Sequence, residues 1–335
     1  MARDTEGMMI FQGKFRRTAA AACCLFLAVL SGCSSEKFTL LSPYEERLEA
    51  GIKSDTDQLS GAVAGGIAGN ICTVSDESQF DSALITSDAA VSFNITQKKT
   101  LYAKEYLTER PMASLTKLMT ALLVIEDGDL DRDVTMGEEV VITTYDAWLC
   151  GFEPGDTMPL RTLLECMLVY SGNDAANACA VAVSGSVDDF VDRMNERAEE
   201  LGATHTHFMN PNGLDEEGHY STPYDIYLIL NECLKYNEFL SIIPMREVNA
   251  EWTRDGETMT QTFTSGNGYL VGTAVPPDGV TVYGGKTGHT ANAGYCLATY
   301  SLDSEGDEHI TVVFGADENQ KVYADTNTLL GLSTD

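Results

Sequence analysis

The chain has 335 residues, 44% hydrophobic and 21% charged, and its 51 Asp+Glu outnumber its 21 Lys+Arg to give a formal net charge of −30. So acidic a protein repels a phosphate backbone, which argues against nucleic acid as a partner. The aliphatic and aromatic content argues against disorder over most of the chain, and the length suits one large domain or two modest ones.

Lys14, Arg16 and Arg17 precede an apolar run at 18–30 that is too short for a comfortable membrane span, so residues 1–32 read as a signal peptide. The run ends in Leu30-Ser31-Gly32-Cys33, which resembles the cleavage box of a bacterial lipoprotein, where small residues admit the peptidase and the cysteine sulfur takes a diacylglycerol. Cys33 is therefore the expected lipidation site. The lipid would tether the protein to the outer face of the cytoplasmic membrane, an extracytoplasmic location. Residues 33–75 are polar and acidic, and 61–69 (GAVAGGIAG) is too rich in glycine and alanine to hold a fixed fold; this segment reads as a flexible tether. Of nine cysteines, Cys72, Cys150, Cys166, Cys179, Cys233 and Cys296 remain beyond Cys33. The compartment permits disulfides, but several of these six sit in apolar patterns where a reduced, buried thiol is the commoner outcome.

The folded domain is expected over 76–335. Two β-type runs, 89–94 and 99–104, flank a polar turn and read as a hairpin. From Ser114 a helix follows in which Leu115, Leu118, Met119, Ala121, Leu122, Leu123 and Ile125 cover nearly every face, the pattern of a helix inside the protein, with Gly128 as its stop. Helical periodicity dominates 131–236, including 160–170, 174–183 and 187–201. Strands return at 280–283, 294–302 and 309–316, and a helix at 324–332 closes the chain. Strands at both ends with helices between them predict an α+β architecture: one antiparallel sheet built from both termini, flanked by helices, with an inserted all-helical lobe.

Three short motifs carry the chemistry. Ser114-Leu115-Thr116-Lys117 is an S-x-x-K, but so is Ser34-Ser35-Glu36-Lys37 in the tether. Ser171-Gly172-Asn173 is an S-x-N, as are Ser265-Gly266-Asn267 and Ser92-Phe93-Asn94; only Lys286-Thr287-Gly288 is unique. Context separates the members. Ser114 opens the buried helix, and the i, i+3 spacing puts its hydroxyl and the Lys117 amine on one face. Ser171 lies in a short loop between helices. Lys286 ends a β-run, so Lys286 and Gly288 share one sheet face and Thr287 the other.

The order S-x-x-K, S-x-N, K-T-G is that of penicillin-binding proteins and class A β-lactamases. With their flanks, Pro111 to Ala121, Ser171 to Ala176, Thr206-His207-Phe208, Asn212-Gly213-Leu214-Asp215 and Gly285 to Thr290, these motifs resemble the low-molecular-mass D-alanyl-D-alanine carboxypeptidases over about residues 85 to 333. Two departures stand out. The β-rich C-terminal domain and amphipathic anchor of many relatives have no counterpart in the sequence, and 263–273 does not match the family's usual Asn-containing stretch before the K-T-G strand.

The resemblance implies a penicillin-binding protein or β-lactamase-like transpeptidase fold with a five-stranded antiparallel sheet. It also implies a serine peptidase acting on peptidoglycan stem peptides, with a part in cell-wall biogenesis and cell shape, and with β-lactam antibiotics as covalent inhibitors. Ser114 is then the nucleophile and Lys117 its base, which must be neutral to act; burial and the nearby Lys286 would both favour the neutral amine. Ser171 relays a proton between Lys117 or Lys286 and the departing D-alanine nitrogen. Asn173 holds a substrate backbone amide, Lys286 and Thr287 bind the terminal carboxylate, and Gly288 leaves room for substrate along the strand. The backbone N–H groups of Ser114 and His289 form the oxyanion hole. No cofactor is implied. No metal is implied either, since His205 and His207 lack a third convincing ligand nearby. DD-endopeptidase or β-lactamase action on the same fold, the latter with Glu216 or Glu217 as a water-activating group, and a non-catalytic cell-wall-binding lipoprotein are the alternatives.

Overall fold

The computed structural model describes residues 71–145 and 147–333; the leader, Cys33 and nearly all of the tether expected from the sequence lie outside them. In chain order the elements are β1 (Ala89–Asn94), β2 (Lys99–Lys104), α1 (Lys117–Asp127), β3 (Asp133–Thr135), β4 (Thr157–Pro159), α2 (Leu160–Glu165), α3 (Asn173–Ser184), α4 (Val187–Leu201) and α5 (Pro223–Cys233). They continue with α6 (Asn237–Ile242), β5 (Glu247–Arg254), β6 (Glu257–Thr264), α7 (Gly268–Val271), β7 (Thr281–Thr290), β8 (Gly294–Leu302), β9 (Glu308–Ala316) and α8 (Asn319–Gly331).

Five strands form one antiparallel sheet in the order β2-β1-β9-β8-β7, built from both termini as predicted, with the first and last strands of the domain paired within it. β1 and β9 are buried almost throughout because both faces are covered. Alternate residues point to opposite sides. Ala89, Val91 and Phe93 of β1, with Ile310, Val312 and Phe314 of β9, join the large core around α1 and α5. Ala90 and Val313, one residue out of phase, pack with Val322 and Leu329 of α8. Helix α1 is buried along Lys117 to Ile125, as its all-round apolar pattern requires.

Two expectations need correction. The lobe is not all-helical: β3 and β4 lie within 131–236 and join β5 and β6 in a second, four-stranded sheet. The β5–β6 hairpin pairs from Glu247↔Thr264 to Arg254↔Glu257 and turns at Asp255-Gly256, both at positive φ. The folded body also begins before residue 76. Cys72 is buried in the core, its N–H donates to Tyr227 Oη at 2.7 Å, and Tyr224 Oη donates to its carbonyl at 2.9 Å. The two tyrosines secure this short segment. All six described cysteines are free thiols, and all are buried.

Candidate active site

Ser114 sits in a single 3-10 turn, Ala113–Thr116, that runs directly into α1. One helical turn later, Lys117 reaches back to it, with Nζ 2.9 Å from Ser114 Oγ. Lys117 is 0% exposed. Its other two contacts are the Asn173 side-chain oxygen at 2.6 Å and the Asn212 carbonyl at 2.5 Å. Both are pure acceptors, so they take the two hydrogens of a neutral amine and leave its lone pair facing the Ser114 hydroxyl. Electrostatics favour the neutral form. Burial, then the neighbouring Lys286, hold the Lys117 pKa well below its ordinary value, against an opposing pull from Asp174.

The second serine arrives by a different route. Helix α2 continues through a π-helical turn, Cys166–Tyr170, which ends with Ser171 in the left-handed region at φ 76°. The chain re-enters a helix at Asn173, whose side chain thereby meets Lys117. Lys286 crosses from β7, placing Nζ 2.8 Å from Ser171 Oγ and 2.9 Å from the Thr287 carbonyl. It is 2% exposed, and burial lowers its pKa to about 7.

β7 is an edge strand alternating as predicted, with Lys286 and Gly288 inward and Thr287 and His289 toward the opening. At Gly288 the structure adds a different reason for glycine from the one expected. A Cβ there would stand 3.0 Å from Ser114 N and 3.1 Å from the Met112 carbonyl, so the missing side chain lets the strand close onto the nucleophile's turn. The His289 ring stacks on Tyr295, with centroids 4.1 Å apart.

A cavity of about 600 Å³ opens over these groups, lined by Ser114, Ser171, Asn173, Thr287, Gly288 and His289. Ser114, Lys117, Ser171, Asn173 and Lys286 thus converge on one centre, while Cys33 and the Ser34 decoy lie outside the described residues. Ser92 and Asn94 are buried in β1. The remaining decoy serves the rim. Asn267 accepts from Tyr269 N as the cap of α7, and Gly266 lines the cavity beside Thr287, so this stretch forms the wall where the sequence departs from its relatives. Asp215 accepts from Thr290 Oγ1 and Asn292 N, and Glu216 accepts from Asn210 Nδ2, so both carboxylates are engaged by protein donors.

Several contributors were given no role from the sequence. Asn212 supplies the carbonyl that holds Lys117. The buried Asp174 carboxylate collects the N–H groups of Cys150, Gly151 and Phe152, fixing the loop that brings Trp148 to the cavity wall. The Trp148 carbonyl accepts the Asn173 N–H at 2.9 Å, and its ring packs on Tyr170 at 5.4 Å. Asp174 and Asn212 both lie in the flanking stretches that resemble the carboxypeptidases, which was the available signal.

The sequence signature of the D-alanyl-D-alanine carboxypeptidase family matches residues 75–318. The chain belongs to this family. It is 36% identical over 236 residues to the D-alanyl-D-alanine carboxypeptidase DacF of Bacillus subtilis, covering 69% of this chain and 58% of that protein. It is 33% identical over 220 residues to DacD of Escherichia coli, covering 62% and 53%. The chain thus spans little more than half the length of these relatives. Among solved structures, a DD-transpeptidase from Streptomyces superposes with a TM-score of 0.69 at 27% identity, covering 75% of this chain and 97% of that one. The cefotaxime-bound penicillin-binding protein D2 of Listeria monocytogenes gives 0.63 at 28% identity, covering 75% and 98%.

Proposed function

We propose that this chain is a serine-type D-Ala-D-Ala carboxypeptidase that removes the terminal D-alanine from peptidoglycan pentapeptide side chains through an acyl-enzyme on Ser114. The observation that carries the reading is the Lys117 amine, 2.9 Å from Ser114 Oγ with both its other positions taken by acceptors. Such an amine can take the hydroxyl proton as Oγ attacks the penultimate carbonyl. Charge developing on the carbonyl oxygen would meet the N–H groups of Ser114 and His289, and losing one such donor typically costs about 3 kcal/mol. The C–N bond then breaks, and the proton taken by Lys117 passes through Ser171, which Lys286 holds at 2.8 Å, to the leaving D-alanine nitrogen, leaving Lys117 neutral for the water step. Water near Lys117 hydrolyses the ester.

Lys286 and Thr287 favour a substrate ending in a free carboxylate. An internal peptide would leave their donors unpaired at roughly 1–3 kcal/mol each. The test is D-alanine release from a diacyl-Lys-D-Ala-D-Ala peptide beside its C-terminal amide, together with mapping of a penicillin adduct. Release from the acid alone, and an adduct on Ser114 that outlives the peptide acyl group, is the expected result. Equal cleavage of the amide would mean endopeptidase action, and rapid penicillin turnover a β-lactamase. Peptide binding with no adduct would mean a non-catalytic module.

Extracytoplasmic anchoring through a lipid on Cys33 belongs to the same reading, supported by the Leu30-Ser31-Gly32-Cys33 box. A Cys33→Ala variant should take up no labelled fatty acid, and uptake at the wild-type level would refute the anchor.

A further inference from the structure

We infer that His219 is a positioning residue for the reaction: through Thr116 and Ala113 it aims the backbone N–H of Ser114. The inference rests on the reading that Ser114 is the acylated nucleophile and its N–H an oxyanion donor.

Ala113 lies at φ +48°, a left-handed conformation that a non-glycine residue keeps only when its surroundings impose it. A directed chain of hydrogen bonds does so. The Met209 N–H donates to His219 Nδ1 at 2.9 Å, so that nitrogen carries no proton. The proton of the neutral ring therefore sits on Nε2, which lies 2.8 Å from Thr116 Oγ1 and donates to it. With its oxygen accepting, the Thr116 hydroxyl donates onward to the Ala113 carbonyl at 2.8 Å. No member can reverse without setting two donors face to face. His219 is itself buried, and burial, reinforced by the neighbouring His207 and Lys117, holds its pKa down to about 4, which keeps the ring neutral and leaves the Met209 N–H to set the tautomer.

The reach to catalysis follows from peptide planarity. The carbonyl of Ala113 and the N–H of Ser114 belong to one rigid amide, pointing in opposite directions. Fixing the carbonyl toward Thr116 therefore fixes the N–H on the other side. Packing holds the same plane, since a Cβ on Gly213 would collide with the Ala113 carbonyl and Gly288 stands against Ser114 N. His219 hydrogen-bonds to the nucleophile's turn through this chain.

Two pairs of substitutions separate aiming from mere support. Thr116→Val keeps the shape and removes the relay, while Thr116→Ser restores it. His219→Asn can still accept from Met209 but cannot reach Thr116, whereas His219→Gln reaches Thr116 with an amide N–H and gives up Met209. Thr116→Val and His219→Asn should each lower kcat for D-alanine release, and the rate of penicillin acylation, by about 10- to 100-fold with KM within about twofold. Thr116→Ser and His219→Gln should stay within about threefold of wild type, and the Thr116→Val/His219→Asn double variant should be no slower than the worse single, because both cut one chain. Wild-type kcat in Thr116→Val, losses that track the thermal midpoint across the set, or multiplying losses in the double variant would overturn the inference. Should the wild-type protein itself form no adduct at Ser114, the carboxypeptidase reading fails first and this inference falls with it.

Discussion

The site holds two serine–lysine pairs of nearly equal geometry and opposite origin. Ser114 and Lys117 lie three residues apart at the start of one helix, 2.9 Å between Oγ and Nζ. Ser171 and Lys286 lie 115 residues apart, on a π-helical turn and an edge strand, and meet at 2.8 Å. Both lysines are buried, yet their surroundings differ. Two pure acceptors grip Lys117 and the Asp174 carboxylate acts on it, whereas Lys286 has one backbone carbonyl beside its serine and burial alone lowers its pKa. Similar distances therefore serve different chemistry: one amine is arranged to be neutral and accept a proton, the other to be charged in part and meet an anion.

Arginine substitution should break that symmetry most sharply. Guanidinium does not deprotonate, so Lys117→Arg removes the base and should lower penicillin acylation by about 10³-fold or more. Lys286→Arg keeps a cation for the carboxylate and should retain measurable activity, losing mainly affinity. Stopped-flow acylation and the KM for the D-Ala-D-Ala peptide report the two effects. Equal losses in both variants would mean that the pairs do not have separate roles.

The same contrast governs what could be read in the sequence. The local pair was legible because i, i+3 spacing on a helix fixes proximity whatever the tertiary fold. The distant pair was not, and Ser171 and Lys286 were joined only by resemblance to a family. In the fold, the strands at both ends and helix α1 were legible because burial on two faces leaves long apolar runs. The β5–β6 hairpin was passed over although Val248, Ala250 and Trp252 alternate in β5 and Asp255-Gly256 marks the turn. Its partner β6 is a largely exposed edge strand whose Thr-rich sequence offers only Met259 and Phe263, interrupted by Gln261, as an apolar face. His219 was invisible for another reason: it acts by one hydrogen bond across 103 residues, which no periodicity encodes.

Titration should separate the pairs next, with effects near tenfold per pH unit. The profile of kcat/KM reports the free enzyme. On the acid side it should rise with pH as Lys117 loses its proton and becomes a base. On the alkaline side it should fall above about 7, where Lys286 gives up the charge that meets the carboxylate. In Lys286→Arg the alkaline fall should vanish while the acid rise stays. Asp174 raises the Lys117 pKa and is absent from the influences on Lys286, so Asp174→Asn should move only the acid limb, toward lower pH. A shift of both limbs together would show that the two amines titrate as one unit.

The smallest expected effect concerns the cavity wall, and it asks whether the comparison between pairs extends to the surface around them. Trp148 is 58% exposed although its ring packs on Tyr170, and its carbonyl is tied to the Asn173 N–H. An aromatic face left open beside Asn173, and held there by the Asp174-anchored loop, is suited to an apolar group on the acyl portion of a ligand. Burying an aromatic group against such a face contributes about 1 kcal/mol, or roughly fivefold in affinity. Trp148→Ala should therefore slow acylation by benzylpenicillin about fivefold while leaving a penicillin nucleus without the aromatic side chain nearly unaffected. The Ser114–Lys117 step itself should keep its pH dependence, because the indole touches neither amine. If both compounds slow equally, the loop instead supports Asn173 and so the base, and the acyl wall must lie elsewhere in the cleft.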